Sequence, residues 1–193
     1  MALRLEERFA VRAPVARVWS FLVDPRRVVA CVPGGALVAI VDDRTFDGEV
    51  TVSVGPLSFA YGGRVSMAEA DAAGHRVTLV GVAHERAGTG SARLTLSSEL
   101  AACRGETRVA AHVRLDVGGR LVELGRGFLE ALGHVVFREF AERVRASIER
   151  GEGGPPGRAA LAAIPLVLRA LRAWIAGGAA AGARDRPRAR SAR

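Results

Sequence analysis

Residues 119–150 read GRLVELGRGFLEALGHVVFREFAERVRASIER and contain no proline. Apolar residues recur three or four positions apart through this stretch, with arginines and glutamates between them. That spacing places the apolar side chains on one side of an α-helix and the charged ones on the other. The pattern therefore predicts one long amphipathic helix, which ends at Gly151. Its predicted apolar face consists of Leu121, Leu124, Phe128, Leu132, Val136, Phe140, Val144 and Ile148.

The chain before this helix reads mainly as β-strand. Residues 3–11 alternate between apolar and charged, and two short helical segments follow, the first opened by Pro14 and the second capped by Asp24. Six more alternating segments fill residues 36–117, joined by short turns that require antiparallel neighbours. Strands and helices thus occupy separate parts of the chain. The sequence predicts an α+β, helix-grip fold, in which a curved seven-stranded antiparallel sheet wraps round the long C-terminal helix.

The composition fits one domain with an appendage. The chain has 193 residues, is 49% hydrophobic and carries a net charge of +8. The segment 151–193 holds 8 of the 28 basic residues but only 2 of the 20 acidic ones, so most of the excess charge lies there. We therefore predict three parts: a ligand-binding domain (1–150), a Gly/Pro linker (151–157), and an amphipathic helix with a basic tail (158–193).

Cysteine usage and the amino terminus indicate a cytoplasmic protein. Cys31 and Cys103 are far apart in the sequence and lack the spacing of a metal site. The first residues alternate charged and apolar side chains, without the apolar run of a signal peptide. We expect a reduced protein at the cytoplasmic face of the membrane.

Small residues on the predicted inner face of the sheet, and glycines in the first half of the long helix, suggest a cavity between them. The alternative is that the glycines only permit close packing. Mid-strand Gly62 and Gly63 suggest a bulge or a bend, and we expect tryptophan at Phe128 or Gly63 to fill the cavity without unfolding the protein. The predicted cavity lining is Phe46, Phe59, Tyr61, Gly63, Leu79, Leu124, Phe128 and Leu132.

The sequence offers little material for catalysis. The four histidines lie on different predicted elements, and none has a metal-ligand spacing with another His, Cys or carboxylate. No serine or cysteine occupies a nucleophile elbow. The predicted inner positions are almost all apolar, with Tyr61 and Ser98 as the polar candidates. We therefore predict no catalytic residues and no metal, and expect the domain to bind an apolar small molecule.

Several motifs resemble those of one known family. They are DPRRVVACVPGG at 24–35, GEVTVSVGPLSFAYGGRV at 48–65, GTGSARLTLSSEL at 88–100 and TRVAAHVRLDVGGRLVELGRG at 107–127. In this order they resemble the G-subunit family of CO dehydrogenase, which belongs to the START-like (SRPBCC) helix-grip superfamily. The resemblance implies a non-enzymatic accessory protein of a CO-dehydrogenase-type molybdenum hydroxylase. The predicted apolar cavity suggests that it carries a quinone or another lipid-like molecule. The Tyr61-Gly62-Gly63 sequence departs from the family pattern, which has one glycine after an aromatic residue.

The segment after the linker has the pattern of a membrane-surface helix. Its apolar residues fall on one side of a helical wheel with arginines beside them, and its uncharged runs are too short to span a bilayer. The predicted membrane-binding residues are Leu161, Ile164, Leu168, Arg169, Leu171, Arg172, Trp174 and Ile175. The alternative is a helix that packs on the domain or on a partner protein. Nucleic acid is not the expected partner, because the basic end lacks aromatic residues that could stack on bases.

Two other functional classes stay open at this point. One is a helix-grip enzyme of the cyclase or hydratase type that acts on a hydrophobic, ring-bearing substrate. The other is an assembly factor without a ligand. An enzyme requires polar groups that converge inside the cavity, so two or more titratable side chains there would favour the first class.

Overall fold

The computed structural model describes residues 1–150, which form one seven-stranded antiparallel sheet and three α-helices. The predicted α+β helix-grip class is confirmed; the linker and tail lie outside the described residues. The elements, in chain order, are β1 (Ala2–Val11), α1 (Val15–Leu22), α2 (Pro25–Cys31), β2 (Gly35–Ile40), β3 (Thr45–Val54), β4 (Leu57–Asp71), β5 (Arg76–Glu85), β6 (Ser91–Cys103), β7 (Glu106–Gly118), a 3₁₀ helix (Arg120–Leu124) and α3 (Arg126–Glu149).

The strand order in the sheet is β1-β7-β6-β5-β4-β3-β2. Strands β2 to β7 are consecutive neighbours joined by short turns, as the alternating pattern predicts. The first strand pairs with the last, and α1 and α2 carry the chain from β1 to the opposite edge of the sheet. Asp24 caps α2 as expected, since its Oδ1 accepts a hydrogen bond from the Arg26 backbone N–H at 2.9 Å.

The long helix is shorter than the sequence predicts. Gly125 has φ 84° and ψ 153°, so the chain cannot continue as a helix through it. The stretch therefore divides into the 3₁₀ helix, which contains Leu121 and Leu124, and α3, which begins at Arg126. The prediction of a single continuous helix from Gly119 is wrong. The spacing of apolar residues does not reveal that one residue, Gly125, has a positive φ angle.

Two buried clusters hold α3 against the sheet. The first cluster joins α1, α2 and the second half of α3; its α3 members are Ala141, Val144 and Ile148. The second cluster joins the 3₁₀ helix, β4 and the first half of α3; its α3 members are Leu129, Leu132 and Val135. Full burial of a large aliphatic side chain contributes about 1.5–3 kcal/mol, so these clusters fix both ends of the helix.

Candidate ligand-binding site

Six apolar side chains on the inner face of the sheet lie between the two clusters. Cross-strand partners share a face, and Leu96 pairs with both Leu79 and Val113, while Val65 and Leu94 both pair with Gly81. All six are partly exposed, and none belongs to either buried cluster. Solvent therefore reaches the inner face at its centre. We call this set the central band: Val65, Met67, Leu79, Leu94, Leu96 and Val113.

The position of α3 explains why the central band is not covered. The helix packs most closely along β1, at one edge of the sheet. A Cβ atom built on Gly133 would lie 2.5 Å from Cδ1 of Leu5, so glycine lets the helix approach β1 without displacing the Leu5 side chain. Because the helix backbone lies against the edge strand, it leaves the side chains of the central strands partly exposed.

The structure brings five of the predicted lining residues together. Phe59, Tyr61 and Leu132 are buried in the second cluster, with Leu124 and Phe128 packed against it. The other three lie elsewhere on the inner face. Leu79 belongs to the central band, Phe46 is buried opposite Val65, and Gly63 lies in a row of small residues across the sheet. That row separates Tyr61 from the central band and consists of Gly48, Gly63, Ala83 and Ala92.

At Gly63 the structure excludes the predicted bulge, which leaves the predicted bend, and it contradicts the expectation that tryptophan is tolerated there. Strand pairing is regular through Gly62 and Gly63, and the irregularity in β4 falls instead between Met67 and Glu69. A Cβ atom on Gly63 would lie 2.2 Å from the carbonyl oxygen of Val82, so a tryptophan there is incompatible with the fold. Gly63 and Gly119 each lie against backbone atoms, as the close-packing alternative predicts, whereas Gly125 has a left-handed backbone conformation with open space around it.

A polar group that the sequence reasoning missed closes one end of the interior. Glu85 is the cross-strand partner of Tyr61, and its side chain is only 2% exposed. Nη2 of Arg120 donates to Glu85 Oε1 at 2.9 Å, and the Gly90 N–H donates to Oε2 at 3.3 Å. The same guanidinium lies over the Phe59 ring at 5.8 Å. Strand alternation could have revealed Glu85, because continuing it from Val77 in steps of two reaches Glu85 on the inner face.

The hydroxyl of Tyr61 is buried at the same end and has no hydrogen-bond partner among the described residues. Burial raises the pKa of Tyr61, the negative charge of Glu85 raises it further, and Arg120 partly opposes both effects. The hydroxyl therefore stays protonated at neutral pH and is available as a donor. Ser98, the other polar candidate, is buried opposite Val77 and Ala111, further along the sheet.

A second concavity lies on the convex face of the sheet. It is a groove of about 500 Å³, and its charged residues pair with one another: Arg64 with Asp47 at 2.8 and 3.0 Å, and Arg86 with Glu49. Because these side chains point away from α3, the groove is not the predicted cavity. Within residues 1–150, no cluster of three or more His, Cys, Asp or Glu residues could hold a metal ion.

The model of the carbon monoxide dehydrogenase G-subunit family, CoxG, matches residues 8–149, most of the chain. The chain belongs to the CoxG family. The match ends at the close of α3, so the CoxG-family part coincides with the sheet, its helices and the central band. Among curated proteins, none matches the sequence.

Solved structures share the START-like fold of this CoxG-family chain. A conserved protein from Geobacillus kaustophilus has a TM-score of 0.69 at 16% identity, over 77% of this chain and 97% of that one. The Zhui aromatase/cyclase from Streptomyces sp. R1128 has a TM-score of 0.58 at 14% identity, over 78% and 95%. A START superfamily protein from Mycobacterium smegmatis has a TM-score of 0.54 at 11% identity, over 77% and 99%. At these identities the likeness establishes the fold alone.

No helix within the described part of the CoxG-family chain is long and apolar enough to cross a membrane.

Proposed function

We propose that this protein is a non-catalytic accessory protein of a CO-dehydrogenase-type molybdenum hydroxylase. It holds an apolar ligand, a quinone, between α3 and the sheet, and it couples the enzyme to the cytoplasmic face of the membrane through residues 158–193. Membership of the CoxG family supports the accessory role and the partner.

The partial exposure of the central band is the main observation that supports ligand binding. Soluble domains normally bury inward-facing side chains such as Leu79, Leu94 and Leu96 against neighbours, because protein interiors are close-packed. Here they face the helix side of the sheet, yet they remain partly exposed outside both clusters. Apolar walls with few polar groups are typical of small-molecule pockets.

The residues present fit a quinone. The central band contains only aliphatic side chains and Met67, which match a flat ring and an isoprenoid chain. The closed end offers Tyr61 as a hydrogen-bond donor, while the guanidinium of Arg120 is already paired with Glu85. A bound quinone supplies carbonyl oxygens that can accept a hydrogen bond and be reduced; the chain's own residues enclose it and exclude water.

The competing class is an enzyme of the cyclase type, and the inward-facing Tyr61–Glu85 pair is the observation that favours it. However, both Glu85 oxygens already accept hydrogen bonds, and the raised pKa of Tyr61 keeps the phenol protonated. Neither group is a free base, so this arrangement supports binding better than proton abstraction. Chemical conversion of the recovered ligand by the purified protein would reverse this preference.

The membrane part rests on the sequence of residues 158–193. Apolar residues of the segment can insert at the headgroup boundary while Arg169 and Arg172 reach lipid phosphates. Each arginine near an anionic surface contributes about 1 kcal/mol, so several are sufficient for reversible docking.

The test is to purify the full chain from its host and analyse an organic extract for lipid-soluble molecules. Leu96→Trp fills the central band, whereas Thr95→Trp places the same ring on the exposed outer face of the same strand. We expect a quinone in the extract of the wild type and of Thr95→Trp, and little from Leu96→Trp. Empty wild-type protein that also fails to bind 2-methyl-1,4-naphthoquinone contradicts the ligand-binding role.

A further inference from the structure

The hydroxyl of Tyr61 is the buried polar atom of the described residues that no protein group satisfies. Tyr61 is 4% exposed, and a buried hydrogen-bond donor without a partner destabilises the folded state. Phenylalanine would avoid this cost with nearly the same shape. An unpaired hydroxyl at such a place indicates a partner that is not part of the polypeptide.

Three glycines make room for this hydroxyl and for the carboxylate beside it. A Cβ atom on Gly90 would lie 3.0 Å from Tyr61 Oη and 2.6 Å from Glu85 Oε2. A Cβ atom on Gly88 would lie 2.5 Å from Oε2, and one on Gly119 would lie 2.5 Å from Cα of Gly90. A side chain at Gly119 would meet the backbone of Gly90, and one at Gly88 or Gly90 would displace the Glu85 carboxylate, so glycine at these positions lets the β5–β6 turn and the 3₁₀ helix pack directly over Tyr61 and Glu85.

We propose that Tyr61 is the specificity-determining residue of the ligand site, and that its hydroxyl donates a hydrogen bond to a neutral oxygen acceptor, such as a carbonyl, on the bound molecule. The inference rests on the proposed ligand-binding function. It adds the chemical class of the ligand: an apolar molecule with at least one neutral hydrogen-bond acceptor at the end that lies nearest Tyr61.

Location and charge both favour such a ligand. Tyr61 lies in the second cluster, on the same face as the central band and separated from it by the row of small residues that includes Gly63 and Ala83, so a ligand that extends from the band across this row reaches Tyr61. The neighbouring Glu85 carboxylate is buried and already takes up the charge of Arg120, so a carboxylate on the ligand would find no free cation at this end. A fatty acid or another anion is therefore a poor candidate, whereas a neutral carbonyl requires no cation.

The experiment compares two ring probes on the full chain by isothermal titration calorimetry. The first is 2-methyl-1,4-naphthoquinone, and the second is 2-methylnaphthalene, which has the ring without an acceptor. Tyr61→Phe removes only the hydroxyl. Ser98→Ala is the matched control, since it removes another buried, inward-facing hydroxyl further from the closed end.

We expect Tyr61→Phe to weaken naphthoquinone binding about tenfold, which corresponds to one lost hydrogen bond. Binding of methylnaphthalene should change less than about twofold, and Ser98→Ala should leave the affinities of both probes unchanged. The melting temperature of ligand-free Tyr61→Phe should equal or exceed that of the wild type, since the variant loses an unpaired polar atom.

Two results overturn the inference while the proposed function stands. One is an unchanged naphthoquinone affinity in Tyr61→Phe. The other is a clear drop in the melting temperature of the ligand-free variant, which would show that the hydroxyl has a partner within the protein. If the wild type binds neither probe, the inference and the ligand-binding function both fail.

Discussion

Gly63 on β4 and Ala83 on β5 approach each other so closely that a Cβ atom built on Gly63 would lie 2.6 Å from both Cα and Cβ of Ala83. Directly opposed Cβ atoms in a regular antiparallel pair are about 4.5–5.5 Å apart. The sheet is therefore sharply bent toward its concave side at this pair. Tyr61 and Glu85 lie on one side of this bend, at one end of the concave face, and the central band lies on the other side.

Gly63→Ala should destabilise the protein by about 3 kcal/mol, because the added methyl group meets backbone atoms that can move only if the sheet opens. Gly62→Ala is the control one residue away, where the nearest atom to a new Cβ is Arg86 Nε at 3.5 Å. That variant should be neutral or slightly more stable. Urea denaturation of both variants measures the difference. Equal free energies of unfolding would show that the sheet is not held as closely as described.

Tyr61 should titrate above the usual range for tyrosine. It is the single tyrosine of the chain, so absorbance at 295 nm follows it alone. Burial and the charge of Glu85 raise its pKa. Glu85→Gln should lower this pKa part of the way, and Arg120→Gln should raise it, because the two variants remove charges of opposite sign.

The same shift has a consequence for stability. Since the folded-state pKa of Tyr61 lies above the unfolded value, its contribution to stability is complete below the unfolded pKa and is lost as pH rises through the folded pKa. The free energy of unfolding should therefore fall more steeply above about pH 10 in the wild type than in Tyr61→Phe. Identical alkaline profiles would contradict the burial of this phenol.

The ion pair between Arg120 and Glu85 should matter more than the surface pairs. Arg120→Gln leaves a buried carboxylate without its cation, although the arginine itself is largely exposed and its contribution is partly screened. We expect a loss of about 1–2 kcal/mol. Arg64→Gln, which breaks an exposed bidentate pair with Asp47, should destabilise the protein less than Arg120→Gln does. Thermal unfolding measures the loss of stability in the two variants. A larger loss in Arg64→Gln than in Arg120→Gln would show that Glu85 is in contact with solvent.

The sequence predicted the frame of this fold because its signals are local. Alternation gave the seven strands, and Pro14 and Asp24 gave the two short helices. Alternation also predicts which residues face inward, and Leu3, Phe59 and Val117 are buried accordingly. The resemblance to the G-subunit family of CO dehydrogenase is likewise confirmed.

What the sequence did not predict depends on contacts between distant residues. Arg120 and Glu85 are 35 positions apart in the sequence, and the residues around each of them contain no signal that the two form an ion pair. The helix break at Gly125 and the close approach at Gly63 depend on one backbone angle and one interstrand distance. An apolar pattern specifies which face is buried, but it does not specify how far apart the covering elements lie, so the central band became visible only in three dimensions.

The two cysteines should differ strongly in reactivity. Cys31 is buried, and desolvation raises the pKa of its thiol, although a hydrogen bond with Ser147 and the charge of Arg143 oppose the rise. Cys103 is only partly buried, at the end of β6. A thiol reagent such as Ellman's reagent should modify Cys103 quickly and Cys31 only as the protein unfolds. Cys103→Ser should therefore remove the fast phase, and a fast phase that persists would show that Cys31 is accessible.

Removal of residues 152–193 should separate ligand binding from membrane binding. Every described helix and strand lies within residues 1–150, so the truncated chain should remain folded and should bind 2-methyl-1,4-naphthoquinone like the full chain. Its sedimentation with anionic liposomes should be lost. In the full chain, the double change Arg169→Glu and Arg172→Glu should weaken sedimentation strongly, because it replaces attraction to lipid phosphate by repulsion. Added salt should weaken it in part, since screening reduces the charge contribution but leaves the apolar one. A truncated chain that still sediments with liposomes would instead make the folded domain the membrane contact, and the exposed apolar residues Val38, Ile40 and Val41 would be the first positions to test.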